Sequence, residues 1–186
     1  MRIAKATLWS RWAWSSGLGI GVFALLALLD TRLKALTGVD TADLAGFSSA
    51  AQFQLAFHAW APEPYAARAG FNLGFDYLLM PLYAMSFFYS GVIAAEGFAP
   101  LPGSLRHIIL ALVWVPVAGA VADAAENALH MTMLLGGAND TLAALAAGAS
   151  RIKNVALLVG LALFLGAAMA WFNQRRTAKG PRISGL

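Results

Sequence analysis

A chain of 186 residues that is 60% hydrophobic and only 12% charged falls well short of the roughly 25% charge typical of a soluble domain. That excludes a water-facing globular enzyme and places the chain among integral membrane proteins. It has no cysteine, so disulfides, thiolate metal sites and cysteine nucleophiles are excluded too. The net charge of +4 sits mostly at the two ends and reads as membrane-surface charge, with no basic cluster of the kind that takes up nucleic acid.

In chain order, Arg2, Lys5 and Arg11 followed by Trp12 and Trp14 predict a cytoplasmic start to a first span over 12–29. A cleaved signal peptide is the rival reading, but Leu28-Leu29-Asp30-Thr31-Arg32 offers no small-x-small cleavage site. Gly17 and Gly21 make a lone G-x-x-x-G, which serves either close helix approach or ordinary packing. Between 30 and 70 the apolar pattern is interrupted by Asp30, Arg32, Lys34, Asp40, Asp43, Glu63 and Arg68. Within that stretch Phe53, Phe57 and Trp60 stand at i, i+4 and i+7, with Gln52 and His58 elsewhere. The spacing predicts an amphipathic helix over 42–60, lying in the membrane interface or capping the bundle, and ended by Pro62 and Pro64.

The second span is predicted over 71–95, with Asn72, Asp76 and Tyr83 near one face and Pro81 freeing one carbonyl. Pro100, Pro102 and Gly103 predict a turn over 97–106. The third span covers 107–133 and includes Pro116; a Gly-containing polar loop over 136–150 follows. The fourth span covers 151–172, with Lys153 and Asn154 in its first turn, and 173–186 is a polar cytoplasmic tail. The expected fold is therefore all-α: one four-span transmembrane helix bundle with an interfacial amphipathic helix between spans one and two.

One stripe of the third span carries chemistry. Asp123, Glu126, Asn127 and His130 stand at i, i+3, i+4 and i+7, so a helix points all four the same way. A charge at the centre of a span costs about 2.5–3.5 kcal/mol on insertion scales, so such groups face a protein interior or a wet cavity. Four spans put both ends on one side. That side carries eight of the Lys and Arg residues and the other five, which favours both termini in the cytoplasm. Asp76, Asp123, Glu126 and Lys153 then fall within about 5–15 Å of the outer surface. Three acids against Lys153 alone leave negative charge that asks for a proton or a bound cation.

Four readings follow. The polar layer is a structural network, with Lys153 pairing an acid and Asn127 and Asn154 bridging helices. It is a metal site on Glu126 and His130, with Asp76 or Asp123 as further ligands and His58 as a remote one. It performs acid–base chemistry on a lipid or isoprenoid-like substrate, helped by Tyr83. Or it couples transport to protons or ions, for which four spans call for a homo-oligomer. The bilayer, and a small apolar or lipid ligand, are the expected partners. No nucleophile motif, phosphate loop or cofactor fingerprint appears, so no cofactor is named.

The segments 75–84, 122–129 and 152–154, with Asp123-x-x-Glu126-Asn127 as the most specific element, resemble a group of small bacterial four-helix membrane proteins. The resemblance covers roughly residues 12–172. It implies the four-span fold and a bacterial inner-membrane setting, and it carries no activity. The four-span emopamil-binding and sterol-isomerase-like proteins offer an analogy of architecture alone.

Overall fold

In hydrocarbon every backbone N–H and C=O must find its partner within the protein, which for apolar runs of this length leaves the α-helix. The computed structural model describes residues 5–62, 64–97 and 102–178. Its order is α1 (Lys5–Thr37), a short 3-10 helix (Ala42–Gly46), α2 (Ala50–Trp60), α3 (Tyr65–Gly97), α4 (Gly103–Leu112), α5 (Val115–Gly136) and α6 (Asp140–Ala178). Four stretches are long and apolar enough to cross a membrane: Ala6–Thr37, Tyr65–Glu96, Gly103–Gly136 and Asp140–Asn173. Their outer faces leave Trp14, Ile20, Phe23, Val121 and Leu158 exposed, a surface that suits hydrocarbon rather than water. Arg2, Glu63, Pro100 and the end of the tail, 179–186, lie outside the described residues.

Each helix outruns its predicted span, and α6 departs furthest. Residues 140–150, expected to be loop, are helical. Ala-rich sequence at 141–149 favours the helix. Asn139 caps it, its side-chain oxygen accepting from the Leu142 backbone N–H at 2.9 Å. The loop shrinks to 137–139, where Gly137 adopts φ 92° and ends α5. The third predicted span is broken after Leu112, four residues before Pro116, because a proline ring has no N–H to give that carbonyl and collides with it.

The 42–60 segment is two pieces, not one helix. The 3-10 helix comes first, and α2 opens separately on a capping box made by Ser49 and Gln52. Phe53, Ala56 and Trp60 of α2 are buried against Leu33, Leu73, Met133 and Ala146, which lie at the same end of α1, α3, α5 and α6. α2 therefore closes that end of the bundle. Three bonds tie the cap down: Trp60 Nε1 donates to the Val39 carbonyl at 3.1 Å, Ser150 Oγ to the Ala45 carbonyl at 2.9 Å, and the Ala50 N–H to Asp140 Oδ1 at 2.8 Å.

Close helix approach depends on other glycines than the lone G-x-x-x-G. Gly17 and Gly21 have nothing within 4 Å of an added Cβ. A Cβ on Gly119 would overlap Ala156, and one on Gly160 would overlap the Phe87 ring. These two glycines let α5 and α3 seat against α6. Gly119→Val and Gly160→Val should each lower the melting temperature in detergent by several degrees, an overpacking cost of about 1–3 kcal/mol, whereas Gly17→Ala and Gly21→Ala should leave it unchanged.

Candidate functional site

The α5 stripe faces inward. Asp123, Glu126, Asn127 and His130 are all at most 5% exposed, so none of them meets lipid. α5 packs between α6 and α3, and each neighbour sends polar groups to the stripe. From α6, Lys153 Nζ reaches Glu126 Oε2 at 2.6 Å and Asp123 Oδ1 at 3.2 Å. From α3, Tyr83 OH donates to the other Asp123 oxygen at 3.0 Å. Asp76 accepts from Asn127 Nδ2 at 2.8 Å, and the same amide leans on the Leu73 carbonyl at 3.3 Å.

These residues line one cavity of about 750 Å³, together with Tyr83, His130 and Asn154, so the structure brings all eight residues singled out in the sequence to one place. Lys153 lies thirteen residues into α6, not in its first turn, and Glu126 lies ten residues before the end of α5. At 1.5 Å per residue the layer sits about 15–20 Å from the helix ends. His58 is exposed on α2, away from the cavity.

The cavity has distinct ends. One carries the polar groups above, and the other is walled by Ile20, Phe23, Leu79, Leu157, Leu161 and Phe164. Along α1 the lining runs from Asp30 to Ser16, about 21 Å at helical rise. At the far end Ser16 and Ser86 share a hydrogen bond at 2.7 Å. The cavity also has a side. α1 packs along α3 and barely meets α6. The two approach at one end, where the Trp12 and Phe164 rings lie 5.5 Å apart and Leu8 packs with Ala167 and Ala170. Beyond that contact they part, and Ile20, Phe23 and Leu161 line the gap while remaining exposed.

Several site residues went unrecognised in the sequence. Asp30 Oδ1 accepts from Asn72 Nδ2 at 2.8 Å, from Thr41 Oγ1 at 2.6 Å and from the Thr41 N–H at 3.3 Å. This joins α1, α3 and the strand of chain before the 3-10 helix. The signal was present: Asp30 breaks an apolar run, and Asn72 precedes Asp76 by one helical turn. Asp40, outside the spans, also lines the cavity, and its burial raises its carboxyl above the ordinary range although it accepts from the Asp43 backbone N–H at 2.9 Å.

The arrangement leaves atoms free. Asp123 Oδ1 and Glu126 Oε2 have Lys153 alone, while Glu126 Oε1 and both nitrogens of His130 have no hydrogen bond. The nearby Ser150 hydroxyl is committed to Ala45, and the His130 ring lies 5.3 Å from that of Phe53. A buried imidazole without partners is costly in a static interior and useful where a ligand supplies them. Among the described residues no three His, Cys, Asp or Glu side chains are grouped to hold a metal ion.

Removing one member of a buried ion pair should cost more than removing both. Lys153→Met should therefore destabilise by about 3–5 kcal/mol, and adding Glu126→Gln should recover part of that loss in thermal unfolding. No family model, curated protein or solved structure matches the chain.

Proposed function

We propose that the chain is a multi-pass protein of the bacterial inner membrane that draws a lipid-like amphiphile sideways out of the bilayer and holds its polar end at Glu126, His130 and Lys153. The observation that carries this reading is the cavity's layout: about 750 Å³, polar at one end, apolar at the other, and open between α1 and α6 where acyl chains would lie. A network that served only to fix helix register would have no use for open space beside it, nor for an imidazole with both nitrogens unpaired.

The same atoms favour a second reading, in which the site also moves protons on its ligand. A general acid or base needs a titratable atom that faces the substrate and is not already bonded. His130 and Glu126 Oε1 are unbonded on residues that line the cavity, with the Tyr83 hydroxyl held on Asp123. The bacterial inner-membrane setting rests on the resemblance around Asp123-x-x-Glu126-Asn127. The excess of Lys and Arg on the side of the two ends favours cytoplasmic termini. The α2 cap then lies at the outer interface, its exposed Gln52, Gln54 and His58 toward the headgroups.

The test is the lipid that accompanies the protein through mild detergent purification, identified by mass spectrometry. The parent should carry one amphiphile class, close to one molecule per chain and enriched over the bulk membrane. Ile20→Trp and Leu161→Trp, which fill the side opening, should remove at least half of it. A parent whose lipids match the bulk membrane, unchanged in both variants, would overturn the reading.

A further inference from the structure

Which amphiphile the cavity takes, granted the lipid-binding reading on which this rests, is set by its size and its hydrogen bonding. At about 30 Å³ per heavy atom, the share a molecule has in liquid water, 750 Å³ accepts roughly 25 heavy atoms. The lining runs about 21 Å from Asp30 to Ser16, the reach of about sixteen extended carbons joined by bonds near 1.5 Å. One chain with a compact head meets both figures. A two-chain phospholipid has far more atoms than the cavity encloses. At the far end Ser16 and Ser86 bond each other and ask nothing polar of the tip of the chain.

The polar wall spends its donors on itself. Thr41 and Asn72 donate to Asp30, Asn127 to Asp76, Tyr83 to Asp123, and Lys153 to Asp123 and Glu126. Thr31 bonds back to Ala27 on its own helix. Among the described residues of this end, Asn154, which is exposed, and His130 are the exceptions. A neutral imidazole offers one donor and one acceptor, so His130 favours neither kind of guest. What stays open is acceptors. Among the described residues nothing bonds Asp30 Oδ2 or Asp76 Oδ1, and neither is a fully enclosed atom. Asn72, one helical turn from Asp76 on α3, bonds Asp30, so the two free oxygens lie about one turn apart, within reach of one small head. An anionic head meets the opposite situation. It needs a positive partner, and Lys153, the one Lys or Arg among the described lining residues, is already shared by two carboxylates.

We propose that the cavity takes a single-chain amphiphile whose head carries hydroxyl or amine donors and no negative charge, and that those donors meet Asp30 and Asp76. Phosphate- and carboxylate-headed lipids, which bring acceptors and charge to a wall that already has both, are turned away.

The test compares heads on one chain. The full-length protein, stripped of lipid in detergent, is titrated with hexadecan-1-ol, hexadecylamine, palmitate and hexadecyl phosphate, and with dipalmitoylglycerol as the two-chain comparison. Binding is counted by native mass spectrometry. The tighter of the alcohol and the amine should bind close to one per chain, and about tenfold or more tightly than either anion or the two-chain lipid. Asp76→Ala should weaken that probe by about tenfold, and Leu158→Ala, on the outer face, should leave it unchanged. An anionic or two-chain probe that matches it would overturn the proposal, as would an affinity that a folded Asp76→Ala variant does not move. Should that variant not fold, the ranking of heads on the parent decides alone. Failure of the alcohol and the amine alike to bind also overturns it. The lipid-binding reading survives each of these results unless the co-purified lipids also match the bulk membrane, so the two fail separately.

Discussion

The bundle is arranged around one lysine in a place where a lysine is expensive. Lys153 sits thirteen residues into α6, largely buried, and its ammonium is tolerable there only because Asp123 and Glu126 meet it from α5. Their attraction fixes the register of the two helices, and it demands a close approach along the rest of the interface. Gly119 against Ala156 supplies that approach, since any larger side chain would hold the helices too far apart for the ion pair to close. Once α5 is set on α6, α3 follows. Its Tyr83 and Asp76 take up the remaining polar atoms of Asp123 and Asn127, and Gly160 leaves room for its Phe87.

α1 stands apart from this scheme. It contributes nothing to the ion pair and is held by α3, by Trp12 donating to Ser90 Oγ at 2.8 Å, and by the Ser16–Ser86 bond. Because three helices satisfy one another, the fourth need not fill the space in front of them. The cavity is the volume left between a self-sufficient trio and a helix that packs along α3 but barely meets α6. That explains why much of its apolar wall, Ile20, Phe23 and Leu26 among it, belongs to α1.

How much of this was legible follows from contrast. Four polar residues on an Ala and Leu background announce a helix face, so the α5 stripe was plain, and Asp76 and Tyr83 followed from helical spacing on α3. Lys153 was placed with the right partners but, like Asn154, in a first helical turn that it does not occupy. The Gly and Ser around 136–150 suggest a loop, but the alanines between them and the Asn139 cap favour helix, which adds nearly three turns ahead of Lys153. Asp30 resembled the polar end of a span because it is followed by Arg32 and Lys34; only the fold shows α1 running on to Thr37. The parting of α1 from α6 had no sequence signal at all. In lipid a helix is apolar on every side, so its pattern does not say which neighbour is missing.

The gap between α1 and α6 is framed at both ends. Trp12 on Phe164 closes the lower edge. At the upper edge Thr41 is bonded to Asp30 of α1 and Ala45 to Ser150 of α6, so the short link between them acts as a strap across the two helices. A window with both its sill and its lintel fastened cannot swing wide like a door. It widens only as the middle of α1 bows, over the stretch that holds Gly19, Gly21 and Ala27. On the lipid-binding reading proposed above, a frame of that kind would pass slender, flexible chains and turn back broad, rigid ring systems.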